Sequence, residues 1–127
     1  MILGIGTDIV QVARVAHSLE RFGVRFARRI LTEREWREFT AAPQPAHFLA
    51  RRFAAKEAAG KALGTGFRDG LQLRHIGVDH DALGRPVLEF LEHAAVLRRS
   101  RGVGEAHVSI SDEREYAVAF VILLRAE

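Results

Sequence analysis

Only two of the 19 Lys and Arg residues in this 127-residue chain are lysines, Lys56 and Lys61, and both sit within four positions of Glu57. A chain that otherwise uses arginine has placed compact ammonium charges beside one carboxylate, as a phosphate-binding site does. The plainer alternative is a Glu57–Lys61 helix pair at i,i+4 spacing, worth ~0.3–0.5 kcal/mol. A second carboxylate, Asp8, follows Gly4 and Gly6 on one face of an N-terminal strand. Glycines there admit a close backbone or a ligand, although an acid near a strand end also serves as a helix N-cap. Oxygen donors without cysteine or paired histidines suit Mg²⁺, which typically takes one or two protein carboxylates and completes its shell with phosphate oxygens and water. With Lys61, Lys56 and Arg52 on one helix, the set has the parts for phosphoryl-group chemistry: a metal bridging anionic oxygens and cations holding the rest.

Other signals are weaker or excluded. Gly64-Thr65-Gly66 follows a helix, whereas a Walker loop precedes one, so a P-loop is ruled out; the turn is either a C-cap or a set of backbone N–H groups offered to a phosphate. Gly4-Ile5-Gly6 lacks the third glycine of a dinucleotide fingerprint, because Ile9 occupies that place. The six histidines include no HxxxH pair, which leaves zinc without support. His107, Ser109 and Ser111 share one strand face, as a polar cluster in a site or as half-exposed sheet surface. No Ser-His-Asp signature occurs.

These residues need elements to position them. Residues 46–63 have helix-forming composition after Pro45 and stop at Gly64, which predicts about 27 Å of helix at ~1.5 Å per residue. Leu49, Phe53, Glu57, Gly60 and Gly64 form one stripe, the face expected to pack, where a bare carboxylate would be forced to protonate. Residues 1–10 alternate as a strand. Val12, Val15, Ala16 and Leu19 mark an amphipathic helix whose far side carries Arg14, His17 and Arg21. Gly23 interrupts it before Arg25, Phe26, Arg28 and Arg29, so the basic stripe is either a dock for an acidic helix or a solvated face. Thr32 and Glu35 form a capping box, with Leu31 and Trp36 placed as a hydrophobic staple; this start carries no chemistry of its own. Strands are predicted at 75–79, 86–90 and 106–111, and a helix at 91–101. The apolar run 116–124 belongs at the centre of a sheet. The order β, three helices, ββ, α, ββ predicts a single α+β domain over residues 1–127, with an antiparallel sheet against the long central helix.

Composition narrows the partners. A chain that is 48% hydrophobic and 28% charged, without cysteine, reads as globular, free of disulfides and thiolate chemistry, with the cytoplasm as the expected setting. No run approaches the ~18 apolar residues of a membrane span. A net charge of +3 and a pI near 10.2 call for an anionic partner. An arginine-rich nucleic-acid binder is the rival class, opposed by few aromatics and by cations scattered along the chain.

Gly4-Ile5-Gly6-Thr7-Asp8-Ile9-Val10, Arg52-Phe53-Ala54-Ala55-Lys56-Glu57-Ala58 running on to Lys61 and Gly64-Thr65-Gly66, and His107-Val108-Ser109-Ile110-Ser111 together resemble bacterial holo-acyl-carrier-protein synthase, of the 4'-phosphopantetheinyl transferase superfamily. The likeness covers essentially the whole chain, Arg29-Ile30-Leu31-Thr32 and Gly84-Arg85-Pro86 included. Asp112 stands where some members of the wider superfamily have His. The resemblance implies that fold, and transfer of 4'-phosphopantetheine from coenzyme A to a serine of apo-acyl carrier protein, with release of adenosine 3',5'-bisphosphate. It implies Asp8 and Glu57 as Mg²⁺ ligands and Lys61 on the diphosphate. Arg52, Gly64, Thr65, Gly66, His107 and Pro86 would be nucleotide contacts. It makes Arg14, Arg21, Arg25, Phe26 and Arg28 the dock for an acidic carrier protein, and it implies a homotrimer with the site between subunits, and neither nucleic acid nor membrane as partner.

Overall fold

The computed structural model describes residues 1–127. Strand β1 (Ile2–Gln11) leads into four helices, α1 (Val12–Phe22), α2 (Val24–Ile30), α3 (Glu33–Thr40) and α4 (Pro45–Leu63). A 3-10 turn at Leu73–His75 precedes the hairpin β2 (Ile76–His80) and β3 (Pro86–Phe90), and the chain ends in α5 (Glu92–Ser100), β4 (Val103–Asp112) and β5 (Tyr116–Arg125). One more helix precedes the hairpin than the sequence predicts. Gly23, at φ 66°, ends α1 and also starts α2, so the arginines after it are helical. The central helix begins at Pro45 as its first residue, and Gly64, at φ 83°, closes it in the left-handed conformation that glycine adopts without strain.

Three strands form an antiparallel sheet in the order β1-β5-β4, and β2-β3 pair separately. The apolar run of β5 is therefore central, as expected. Its alternate residues Ala117, Ala119, Val121 and Leu123 are fully buried against α4, whose Ala54, Ala55, Ala58 and Ala59 have no exposed surface either. Small side chains on both partners let helix and sheet approach closely. The approach is tightest at β1, where a Cβ added to Gly4 would lie 2.0 Å from the Ala62 carbonyl oxygen and one added to Gly6 would lie 2.0 Å from that of Ala58. Those glycines admit a backbone, and the same spacing brings Asp8, on the same strand face, beside the helix.

The helix buries only part of the stripe expected of it, Leu49 and Gly60. Most of its circumference is enclosed, Lys56 and Arg52 included, while Phe53 and Glu57 are only half-buried and Lys61 is exposed. The packing faces follow the alanines, and Glu57 edges a cleft instead.

Candidate active site

Asp8 comes from β1, and Glu57 and Lys61 come from consecutive turns of α4. The Lys61 ammonium lies 3.1 Å from Asp8 Oδ1 and donates to the Thr7 carbonyl at 2.9 Å. Asp8 and Glu57 both line a cleft of about 470 Å³, with Gln11, Arg14, Val15, Ser18, Phe26 and Phe53 among its other walls. The Glu57 carboxyl is raised above its ordinary value, first by burial and then by the charge of Asp8, with Lys61 pulling it back. Asp8 and Glu57 are close enough for the charge of one to raise the other, while Lys61 pairs with Asp8 alone; that repulsion between carboxylates is what a divalent cation would relieve. All its donors are oxygens. No group of three or more His, Cys, Asp or Glu side chains gathers anywhere in the chain; the Asp8–Glu57 pair, with oxygen donors alone, is compatible with Mg²⁺ by the route that uses few protein ligands.

The remaining expected residues divide. Arg14 and Phe26 line the same cleft as the acids; Phe26 also borders a second hollow with Phe22, Arg25 and Arg29. Arg21 lies over the Phe22 ring, its guanidinium carbon 5.2 Å from the centroid. Arg28 faces elsewhere: it stacks on Trp36 at 4.0 Å and pairs with Glu33 at 3.8 Å. At the end of α4, Gly64 and Gly66 take positive φ, and Thr65 Oγ1 is buried without a partner. Pro86 opens β3 opposite His80 and does not line the cleft.

His107 is exposed, and its Nε2 lies 3.1 Å from a Glu105 carboxylate oxygen. It pairs with Ile122, which pairs with Ile5, on the sheet face turned away from α4; Asp8 pairs with Ala119 on the face turned toward it. Within one chain the two lie on opposite sides of the sheet. Asp112, left open by the sequence, pairs with Arg51 at 3.2 Å.

Two cations leave the set assembled from the sequence. Lys56 is not a phosphate ligand in this arrangement: it is fully buried, and its ammonium lies 2.6 Å from Glu35 Oε1 and 2.6 Å from the Ile30 carbonyl. Burial lowers its pKa and Glu35 opposes that shift. Arg52 is also buried, 3.7 Å from Glu35 and 3.8 Å from Glu38, over the Phe48 ring. Both meet Glu35 of α3 because, four positions apart, they lie only about 40° from each other around α4, whereas Glu57 lies about 100° on from Lys56. Glu35, read as a helix cap only, does cap α3 and is also the hub of this cluster. Its second role had no signature in the sequence, nor did the places of Ser18 and Phe53 in the cleft.

Residues 4–121 match the model of the 4'-phosphopantetheinyl transferase superfamily. A holo-[acyl-carrier-protein] synthase of Halorhodospira halophila is 60% identical over 124 residues, covering 98% of this chain and 98% of that protein. The chain belongs to the holo-[acyl-carrier-protein] synthase family. It is an enzyme of that family, as the resemblance of its three motifs implied. A crystal structure of the holo-[acyl-carrier-protein] synthase of Neisseria meningitidis superposes with a TM-score of 0.94 at 44% identity, covering 98% of this chain and all of the other. The family's structure from Bacillus anthracis, in complex with CoA (3',5'-ADP), gives 0.82 at 36% identity over 100% of this chain and 99% of that one. The predicted α+β fold is thus the family's fold, and Asp8, Glu57 and Lys61 all lie within the matched residues.

Proposed function

We propose that this chain transfers 4'-phosphopantetheine from coenzyme A to a serine of apo-acyl carrier protein in a Mg²⁺-dependent reaction that releases adenosine 3',5'-bisphosphate. The observation that carries the reading is that Asp8, ion-paired with Lys61, and Glu57 line one cleft with Arg14 and Phe26. It puts an anion-handling centre beside the cationic, aromatic surface that an acidic carrier protein needs. Asp8 and Glu57 would hold Mg²⁺, which would supply neutralisation of the diphosphate charge.

The rest of the chemistry falls to the chain's own groups. The serine Oγ forms a bond to the pantetheine-side phosphorus as the bond from that phosphorus to the bridging oxygen breaks, and the nucleotide leaves with that oxygen. Lys61, half exposed and ion-paired with Asp8, is placed to hold charge on the diphosphate and on the departing bisphosphate. The serine proton must pass to a base, and Asp8 and Glu57 are the carboxylates that line the cleft. The buried, unpartnered Thr65 hydroxyl and the flanking glycines supply polar contacts for the nucleotide.

The outer face of the sheet supports a further element of the proposal. Ile5, Ile9, Val118 and Phe120 are exposed there, Ile9 to 65% and Phe120 to 43%, in cross-strand rows Thr7–Phe120–Ser109 and Ile9–Val118–Ser111. An apolar sheet face of this kind marks an association surface. Assembly of copies through it, as the homotrimer, would bring His107 toward a neighbouring copy's nucleotide site. No helix is long and apolar enough to cross a membrane, and the cytoplasm is the setting we propose. The deciding experiment is mass spectrometry of apo-acyl carrier protein incubated with the enzyme, coenzyme A and Mg²⁺, with and without chelator. A mass gain of one phosphopantetheine that chelation abolishes is expected; an unmodified carrier protein at full enzyme load overturns the reading.

A further inference from the structure

Lys56 is the largest side chain in the molecule with no accessible surface. Its ammonium donates to the Ile30 carbonyl at 2.6 Å, to Glu35 Oε1 at 2.6 Å and to the Leu73 carbonyl at 3.4 Å, which uses all three of its donors. Glu35 is equally buried: Oε1 also accepts the Thr32 N–H at 2.9 Å and Oε2 accepts the Val78 N–H at 2.7 Å. One ion pair thus ties α4 to the end of α2, the start of α3, the 3-10 turn and β2.

A buried ion pair is a poor way to gain stability, since well-packed apolar residues of the same volume commonly do as well or better. What it adds is direction. Apolar contacts on the alanine faces of α4 tolerate a small roll of the helix about its axis, whereas hydrogen bonds to fixed acceptors on separate elements do not. Glu57 is the next residue, about 100° around the helix, so the roll that seats the Lys56 ammonium also sets where the Glu57 carboxylate projects. We propose that the Lys56–Glu35 pair is a positioning device that sets the rotation of α4 so that Glu57 meets Asp8 at the metal-binding cleft. Lys56 and Glu35 touch neither substrate nor metal. The inference rests on the reading of Asp8 and Glu57 as the metal's ligands.

The test compares Glu35→Gln and the neutral double variant Lys56→Met/Glu35→Gln with Ile76→Ala, a control that empties a fully buried site elsewhere on β2. The readouts are Mn²⁺ affinity in the presence of coenzyme A, followed by electron spin resonance, and kcat per folded molecule. Loss of at least about tenfold in Mn²⁺ affinity, with a similar loss in kcat, is expected of both pair variants. The KM for carrier protein should stay within about twofold in Glu35→Gln, because Lys56 keeps its bond to the Ile30 carbonyl at the end of α2, the helix that carries Phe26. The control, at comparable loss of melting temperature, should keep wild-type Mn²⁺ affinity. Wild-type Mn²⁺ affinity and kcat in the pair variants, or an equal loss in Ile76→Ala, overturn the proposal; if the double variant does not fold, Glu35→Gln alone decides. Glu57→Gln runs alongside, and wild-type Mn²⁺ binding by that variant overturns the reading of the site itself.

Discussion

The ammonium of Lys61 stands 3.1 Å from Oδ1 of Asp8 although 53 residues separate them in the chain. This contact joins a strand end to the last turn of the central helix. It holds only because Gly4 and Gly6 let β1 run against the helix backbone.

Replacing Glu57 by Gln should lower transfer by about 100-fold or more, since a neutral amide is a poor ligand for a hard cation. The fold should not suffer. Because burial and Asp8 raise the Glu57 carboxyl in the folded state, its ionised form costs stability, and any stabilisation from its protonated form is lost as pH rises through that raised value. In chelator at pH 7.5 the variant should therefore melt no lower than wild type. Its advantage should vanish as pH falls below the ordinary glutamate range of about 4.3. Thermal melts paired with the mass assay separate lost chemistry from lost fold.

Gly6→Ala should destabilise the chain by about 1–3 kcal/mol, the usual cost of overpacking. The new methyl would lie 2.0 Å from the Ala58 carbonyl oxygen, a backbone atom that cannot swing aside, so β1 must move and carry Asp8 with it. Urea denaturation and kcat should fall together, unlike the Glu57→Gln result.

Arg14→Glu and Arg25→Glu should raise the KM for carrier protein by about tenfold each at low salt and leave the KM for coenzyme A unchanged. Both side chains are exposed on the α1–α2 surface that borders the cleft. Arg28→Glu should do less, because that guanidinium is stacked on Trp36 away from the cleft. Steady-state kinetics with each substrate varied in turn would show an equal effect on both if the surface were not the dock.

Phe120→Lys, at the centre of the exposed sheet face, should give a folded monomer with transfer reduced by about 100-fold, read by sedimentation and the mass assay. A charge buried in an association surface has no partner to offset its desolvation. Retention of the wild-type sedimentation coefficient would rule out this face as the seam between copies.

His75 is buried, and its Nδ1 accepts the Gln72 N–H at 3.1 Å. Burial lowers its pKa, with Glu92 partly opposing. A lowered histidine pKa gives stability that is complete above the unfolded value of about 6.5 and is lost as pH falls below it toward the folded value. His75→Asn keeps an acceptor and removes the titration. Urea midpoints should show wild type losing stability relative to this variant between pH 7.5 and 5.5.

Much of the frame was legible before folding because local rules govern it. The capping box at Thr32 and Glu35, the end of α4 at Gly64, the bounds of β3 and the central place of β5 depend on neighbours a few residues away or on unbroken hydrophobicity. Spacing offered Asp8 and Glu57 as candidate acids beside plainer readings, a helix N-cap and a Glu57–Lys61 pair, and the resemblance of the three motifs singled them out. The two lysines show where such reading ends. Lys56 and Lys61 are alike in type and both near Glu57, yet one is sealed against Glu35 and the other reaches across to Asp8. A helix presents side chains in every direction, and which direction meets a carboxylate, a carbonyl or water is set by elements packed from elsewhere in the chain. The same holds for His107, whose strand position was evident but whose side of the sheet, away from Asp8, depends on β4–β5 register and on which face α4 covers. Chain order determined the candidates and their elements; tertiary packing decided which of them share a cleft, because direction around a helix or across a sheet acquires meaning only when a partner surface is present.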